Sequence, residues 1–141
     1  MPLRRLGDSM PVVESEFLLA LRANDRKHNA ALSVFDKYSS LEVCDAAFLE
    51  IAWLLRSAGK SPSEVSLAVS ILEAELEDHD VSEIPITTSQ ITRAHEILAT
   101  HPITFFDALI LANAEESQDR RLISSDASFD STHTIERARL K

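Results

Sequence analysis

Glycine is nearly absent from this chain of 141 residues, which contains only Gly7 and Gly59. A phosphate-binding loop or a dinucleotide-binding turn needs several glycines at fixed spacing, because the backbone must approach the phosphates closely. Neither loop can be built from two isolated glycines. The sequence therefore excludes the P-loop nucleotide-binding proteins and the dinucleotide-binding enzymes.

Cysteine and long apolar segments are also scarce. The single cysteine, Cys44, cannot form a disulfide within the chain, which is typical of a reducing compartment, so we expect a cytoplasmic protein. Cys44 follows Leu-Glu-Val, and we expect a buried thiol rather than a nucleophile. No apolar run approaches the roughly 20 residues that span a bilayer, so we expect no membrane partner. Residues 1–10 are basic without the apolar segment of a signal peptide, and we expect a flexible arm before a single domain of residues 11–141.

Basic residues are outnumbered, with 14 Lys and Arg against 23 Asp and Glu and a net charge of −9. This balance weighs against a nonspecific nucleic-acid coat, because phosphate binding depends on cations. It does not exclude a nuclease whose metal neutralises the substrate locally, and it suits a partner with a basic segment. Arg22, Arg26 and Lys27 are candidates for contact with RNA phosphates, although a solvated connection between helices is the more common explanation for such a group.

Short apolar segments alternate with segments of helical spacing. We predict strands at 11–14, 41–43, 81–86, 121–124 and 134–140, the last of which could also be a frayed helix. Between them, helices are predicted after Ser15 as cap and after Ser61-Pro62. This alternation predicts an α/β fold with a parallel sheet covered on both faces.

The helix after Ser61 is predicted to bury one apolar side, and Trp53 of the preceding helix is predicted to lie in the core. The residues predicted on that inner side are Val65, Leu67, Ala68, Ile71, Leu72 and Leu76.

Four acidic residues lie beside apolar sequence where a predicted strand ends or a helix begins: Glu14, Glu50, Asp107 and Asp126. Ligands of open parallel sheets bind outside the carboxyl ends of the strands, and the helices begin at that same edge. The four carboxylates can therefore converge, and their mutual repulsion would call for a cation. Oxygen donors favour Mg²⁺ or Mn²⁺ over zinc, and the five histidines show no zinc-binding spacing. A metal held there could activate water and clamp a phosphodiester, which indicates a metal-dependent nuclease.

Each acid also has an ordinary structural explanation. Asp107 stands in the first turn of its predicted helix, three residues after Thr104, as in a capping box. Glu50 could lie on a solvated helix face and Asp126 in a turn. Glu14 could pair with a nearby arginine. These alternatives stay open on the residues alone.

Most of the chain, from about Pro11 to Asp130, resembles the PIN-domain family and especially its VapC-type toxins. The most specific stretch is Phe-Phe-Asp-Ala-Leu-Ile-Leu-Ala at 105–112, similar to the family's helix start with an aromatic residue before the acid. Residues 12–21 resemble the opening strand, acid and helix, and 25–31 resemble the segment that follows. Residues 45–51 resemble the helix with the second acid, and 122–130 resemble the terminal strand with hydroxyl residue, acid and Phe.

The resemblance implies a Mg²⁺- or Mn²⁺-dependent endoribonuclease with a three-layer α/β/α sandwich and about five parallel strands. Such proteins are often homodimers and are often silenced by a cognate antitoxin. Carried over to this sequence, Glu14, Glu50, Asp107 and Asp126 would hold the metal and Ser124 would be the supporting hydroxyl residue.

Two residues depart from the family pattern: Glu14 stands where Asp is usual, and Glu16 stands where a small polar residue is usual. The alternative function is therefore a catalytically degenerate PIN domain that acts as a protein-interaction module. A receiver-type signalling domain also gathers acids at a sheet edge, but it needs a lysine late in the chain. The only lysine after Lys60 is Lys141.

Overall fold

The computed structural model describes residues 9–140, which form five strands and six α-helices. The strands are β1 Val12–Val13, β2 Leu41–Cys44, β3 Val81–Ile84, β4 Arg121–Ile123 and β5 Glu136–Ala138. The helices are α1 Ser15–Ala20, α2 His28–Lys37, α3 Asp45–Ser57, α4 Pro62–Glu77, α5 Thr88–Thr100 and α6 Phe105–Glu115, and a short 3-10 helix spans Ala127–Asp130. The predicted alternation of strands and helices is confirmed, including the strand near the end of the chain.

All five strands pair in parallel, in the order β3-β2-β1-β4-β5. The order reverses direction between β1 and β4, which makes the carboxyl ends of these two strands the switch point of the sheet. Crevices at such points are where ligands bind in open α/β sheets. The order also differs from the 2-1-3-4-5 arrangement of receiver-like proteins, which excludes that alternative.

Both faces of the central strands are covered. Val12 and Val13 are each 0% exposed, and Leu122 and Ile123 beside them are similarly buried. Because successive strand residues point to opposite faces, burial of both neighbours requires a layer of helices on each side of the sheet. The predicted three-layer α/β/α architecture is confirmed.

The first residues of α4 and α1 show where the predicted N-caps are right and where they are wrong. Ser61 caps α4 through a capping box with Glu64, and Pro62 is the first helical residue, as predicted. The predicted cap at Ser15 is wrong, because Glu14 takes that position and its Oε1 accepts the backbone N–H of Glu16 at 2.9 Å. An acidic side chain can replace serine there because it also accepts the free N–H groups of the first turn.

The predicted burial of Trp53 and of much of α4 is wrong. Trp53 is 55% exposed, Leu67 is 64% exposed and Ile71 is 53% exposed, whereas Leu72 and Leu76 are buried as predicted. The helix α4 packs against α3 and contributes only Leu72 and Leu76 to the core. The rest of its apolar side therefore faces outward. The structure therefore presents several large apolar side chains at its surface.

The predicted N-terminal arm lies mostly outside the described residues. Of its last two residues, Met10 donates its backbone N–H to Oδ2 of Asp119 at 2.6 Å. Between residues 9 and 140, no helix combines the length and apolar character that crossing a bilayer requires.

Candidate metal centre

The four sequence-predicted acids lie at the carboxyl edge of the sheet, around the switch point. Glu14 directly follows β1, and Asp126 follows the neighbouring strand β4 after two serines. Asp107 is the third residue of α6. Glu50 lies in the second turn of α3. Residues separated by up to 112 positions thus reach one edge because parallel strands end and helices begin there.

The pKa shifts of Glu14 and Asp107 show that charges of the other predicted acids reach these two carboxylates. Burial raises the pKa of Glu14 from 4.5 to about 8, partly opposed by the Glu16 N–H, and the charges of Glu16, Glu50 and Asp107 raise it further. Burial also raises the pKa of Asp107, with Asp126 and Glu50 adding to the rise. The structure therefore brings all four acids into one electrostatic group, here called the acid cluster.

Two serines donate hydrogen bonds to three members of the acid cluster. Ser15 donates its Oγ–H to Oε1 of Glu50 at 2.5 Å. Ser128 joins two of the acids, since its N–H donates to Oδ1 of Asp126 at 2.9 Å and its Oγ–H donates to Oδ2 of Asp107 at 3.4 Å. These bonds tie α1 to α3 and the 3-10 helix to α6 at the edge where the acids meet.

Asp107 also has the capping environment that its sequence indicated. Its backbone N–H donates to Oγ1 of Thr104 at 3.3 Å, and Thr104 is the N-cap of α6. The carboxylate of Asp107 nevertheless reaches Ser128 in another element. Asp107 thus occupies a capped first turn and the acid cluster at once, so the two interpretations are compatible.

Ser124, the predicted supporting hydroxyl residue, is completely buried. Its Oγ accepts the backbone N–H of Asp126 at 3.1 Å, and its own N–H donates to the carbonyl of Ala138 at 2.8 Å. Ser124 therefore fixes the start of the turn that carries Asp126 while continuing the β4–β5 pairing. Its supporting role at a metal stays a prediction that this geometry suits.

Glu16 and Lys27 form a second layer beside the acid cluster. Glu16 accepts the N–H of Ser125 through Oε1 at 3.0 Å and pairs with Nζ of Lys27 through Oε2 at 3.3 Å. Lys27 Nζ also donates to Oγ of Ser125 at 2.7 Å. The unusual acid at position 16 is thus used to fasten α1 to the turn after β4, and it places one cation next to the cluster.

The two predicted arginine contacts are less closely tied to the acids. Arg22 and Arg26 are exposed in the connection before α2, and Nε of Arg22 donates to the carbonyl of Leu19 at 3.3 Å. No ion pair within residues 9–140 joins either arginine to the acid cluster. Of the three predicted cations, Lys27 is the one that the fold places beside the acids.

Arg137 is a residue of this region that the sequence did not reveal. Its Nε and Nη2 donate to the two oxygens of Asp130 at 3.0 Å each, and its Nη1 donates to the carbonyl of Ser124 at 3.2 Å. The guanidinium therefore closes the turn that carries Asp126 from the side of β5. No spacing signal marks it, because a lone arginine in a short strand is typical of a surface position.

Mg²⁺ or Mn²⁺ suits the chemistry of these donors. The acid cluster offers carboxylate oxygens alone, which hard divalent cations prefer, and their mutual repulsion would be relieved by a positive ion. Within residues 9–140, no three acidic, histidine or cysteine side chains are placed so that they could hold a metal ion together. Binding of an ion at the acid cluster would therefore require these side chains to move closer together. Cys44 is buried and burial raises the pKa of its thiol, which agrees with the predicted structural role.

Comparison with known proteins places this geometry in a family. A family model described as the PIN domain matches residues 12–134. No curated protein matches the chain in sequence.

Solved structures from three organisms share the fold. The toxin VapC20 of Mycobacterium tuberculosis, described as cleaving the sarcin–ricin loop, superimposes with a TM-score of 0.68 at 20% identity, covering 89% of this chain and 96% of its own. VapBC2 of Rickettsia felis, solved bound to a promoter DNA fragment, superimposes with a TM-score of 0.64 at 12% identity, covering 94% of this chain and 100% of its own. PAE2754 of Pyrobaculum aerophilum superimposes with a TM-score of 0.55 at 18% identity, covering 94% of this chain and 92% of its own. At these identities the likeness establishes a shared fold.

Proposed function

This chain belongs to the PIN-domain family, and we propose that it is a metal-dependent endoribonuclease that hydrolyses RNA phosphodiester bonds as the toxin of a toxin–antitoxin pair. The observation that carries the proposal is the electrostatic coupling of Glu14, Glu50 and Asp107, with Asp126 coupled through Asp107, at the switch point of the sheet. Carboxylates gathered around a buried one repel each other without a cation, so the assembly of these acids around Glu14 supports a bound cation.

In this proposal, Glu14, Glu50, Asp107 and Asp126 hold Mg²⁺ or Mn²⁺. Such an ion, when bound, lowers the pKa of a water and stabilises charge on the phosphate. Ser128 and Ser15 orient the carboxylates, and Ser124 fixes the turn that carries Asp126. Lys27 lies beside the cluster and is the cation best placed to meet a substrate phosphate.

The proposed partners are an RNA substrate and an antitoxin protein. VapC20 is described as a toxin that cleaves the sarcin–ricin loop, and VapBC2 was solved bound to promoter DNA. A net charge of −9 favours an antitoxin with a basic segment, because opposite charges speed and orient association. We also propose a cytoplasmic location, consistent with a single buried thiol.

We further propose a homodimer that covers the apolar surface formed by α3 and the start of α6. Trp53 and Phe105 are 55% and 41% exposed, and Phe106 lies between them with ring centroids 5.6 and 5.5 Å away. Aromatic side chains grouped at a surface are typical of protein–protein interfaces.

Replacing Asp107 with Asn tests the nuclease directly. Purified protein with Mn²⁺ is expected to cut single-stranded or structured RNA, and Asp107→Asn is expected to lower the rate by at least roughly 100-fold, because one metal ligand is weakened. The matched control is Asp36→Asn, which changes an exposed acid of α2 and should leave cleavage intact.

The outcomes separate the two candidate functions. Cleavage that persists unchanged in Asp107→Asn would refute the assignment of the acid cluster. A folded wild-type protein that binds partners but cuts no RNA at any Mn²⁺ concentration would support the degenerate interaction module.

A further inference from the structure

We propose that the groove between α2 and β5 is the track along which a single strand of RNA reaches the acid cluster, with Lys37 and Arg139 contacting its phosphates. This inference rests on the proposed ribonuclease function and names the substrate path for that site. We call this feature the α2–β5 groove.

The α2–β5 groove has a volume of about 400 Å³. Its floor is apolar and buried, formed by Val34, Ile123 and Leu140, while Lys37 and Arg139 are exposed lining residues. No acidic residue is among the residues that line it. In a chain with 23 acids, an opening of this size whose charged lining residues are both cations is a distinctive local environment.

The two cations are available to a ligand. Within residues 9–140, no carboxylate lies within ion-pair distance of Lys37 or Arg139, whereas Arg93 and Arg137 are engaged by Glu115 and Asp130. A surface with net negative charge repels a polyanion, so association is favoured where positive potential is concentrated. The α2–β5 groove offers two such cations and no carboxylate among its lining residues.

Contacts connect the groove to the acid cluster. The carbonyl of Leu140, in the floor of the groove, accepts the Oγ–H of Ser125 at 3.3 Å. Ser125 in turn accepts Nζ of Lys27 at 2.7 Å and directly precedes Asp126. These shared contacts place Lys27 between the floor of the groove and Asp126, and the proposed strand would pass it on the way to the carboxylates.

The length of α2 sets the reach of this path. Lys27 immediately precedes the helix and Lys37 ends it, so their Cα atoms are about 15 Å apart along the axis at 1.5 Å per residue. A stacked strand rises about 3.4 Å per nucleotide, so this distance spans roughly four stacked nucleotides and fewer in an extended strand. Such a span makes contacts several nucleotides away from the scissile bond.

An aromatic ring completes the lining. Tyr38 is half-buried in the groove, and Nζ of Lys37 lies 5.5 Å from the centroid of its ring. Cations that follow the backbone together with an aromatic face for the bases are the combination by which proteins hold single-stranded nucleic acids. An acidic peptide would also match the charge, and the contacts of Ser125 with both the groove and Lys27 favour the substrate.

The binding experiment uses Asp107→Asn protein, so that the RNA stays intact, and measures fluorescence anisotropy of a labelled 12-nucleotide RNA. Lys37→Gln combined with Arg139→Gln is expected to weaken binding about tenfold and to reduce the slope of log affinity against log salt by about 1.4, or about 0.7 for each lost phosphate contact. The matched control, Lys60→Gln, removes an exposed cation between α3 and α4 and should change the affinity by less than about twofold.

A cleavage experiment in the active protein separates this inference from the function on which it rests. Because the two cations contact distant phosphates, the double variant is expected to raise KM about tenfold and to leave kcat within about twofold. If the wild-type protein cleaves RNA and the double variant changes neither affinity nor KM, the groove inference is overturned while the nuclease stands. If the wild-type protein does not cleave RNA but the double variant weakens RNA binding as stated, the nuclease fails and the groove is supported as an RNA track.

The peptide alternative is tested with the same variants. A labelled polyglutamate peptide that binds the wild-type protein, and is lost in the double variant while RNA affinity is unchanged, would show that the groove docks an acidic protein segment. That result would overturn the RNA track.

Discussion

Glu14 is the residue whose replacement tests the physical reasoning most directly. It is 5% exposed, it caps α1, and its pKa is raised from 4.5 to about 8 by burial and by neighbouring acids. Gln has nearly the same shape and retains the oxygen that accepts the Glu16 N–H. Glu14→Gln therefore removes the titrating group while keeping the cap.

The sign of the effect follows from the direction of the pKa shift. The folded state holds the proton of Glu14 up to about pH 8, whereas the unfolded chain releases it near 4.5. Metal-free wild-type protein therefore loses stability as the pH rises from 4.5 to 8. At about 1.4 kcal/mol per pH unit, the loss from this one group is about 3 kcal/mol at pH 7 and at most about 5 kcal/mol above pH 8. A loss of this size is large beside a total stability of about 5–15 kcal/mol.

Urea unfolding at pH 5.5, 7.0 and 8.5 with EDTA measures this loss. We expect the free energy of unfolding of Glu14→Gln to exceed that of the wild-type protein by an amount that grows with pH, reaching a few kcal/mol. Millimolar Mn²⁺ is expected to reverse the order, because the ion stabilises the ionised wild-type cluster and only the folded state binds it.

The matched control is Glu75→Gln, which removes one negative charge from the exposed side of α4. It should not change how stability depends on pH. If the free energy of unfolding depends on pH in the same way for the wild-type protein and Glu14→Gln in EDTA, the claim that burial and neighbouring acids raise the pKa of Glu14 is refuted. If Mn²⁺ raises the free energy of unfolding equally in both proteins, Glu14 is not a ligand of the metal.

Two further predictions concern residues around the site. Arg137→Met should weaken Mn²⁺ affinity roughly tenfold in titration calorimetry, because the turn carrying Asp126 loses its bonds to the guanidinium. Arg137→Lys should recover part of that affinity. Equal Mn²⁺ affinity in the wild-type protein and both variants would contradict this role. Trp53→Ser should shift the protein toward monomer in light scattering with little change in melting temperature, because the side chain is 55% exposed. A dimer of undiminished strength would place the subunit contact elsewhere.

Local sequence signals were reliable where the physics is local. The alternation of short apolar runs with helical spacing predicted each of the five strands, and Ser61-Pro62 predicted the start of α4. The same signals failed at Trp53, because an apolar residue on a helix is buried only if another element covers it. Helical periodicity identifies the apolar side of α3 and α4 without stating what packs there.

The sequence by itself determined the family and the parallel α/β architecture and singled out the four acids as candidates, since these depend on periodicity and on short motifs around each acid. Tertiary structure alone decided which side chains meet: Ser15 with Glu50 across 35 positions, Lys27 with Ser125 across 98 and Glu16 with Ser125 across 109. It also decided that Glu14 is buried, that Arg137 closes the turn of Asp126, and that α2 and β5 enclose a groove lined by cations. Contacts between distant segments depend on how whole elements pack, and no short stretch of residues contains that information.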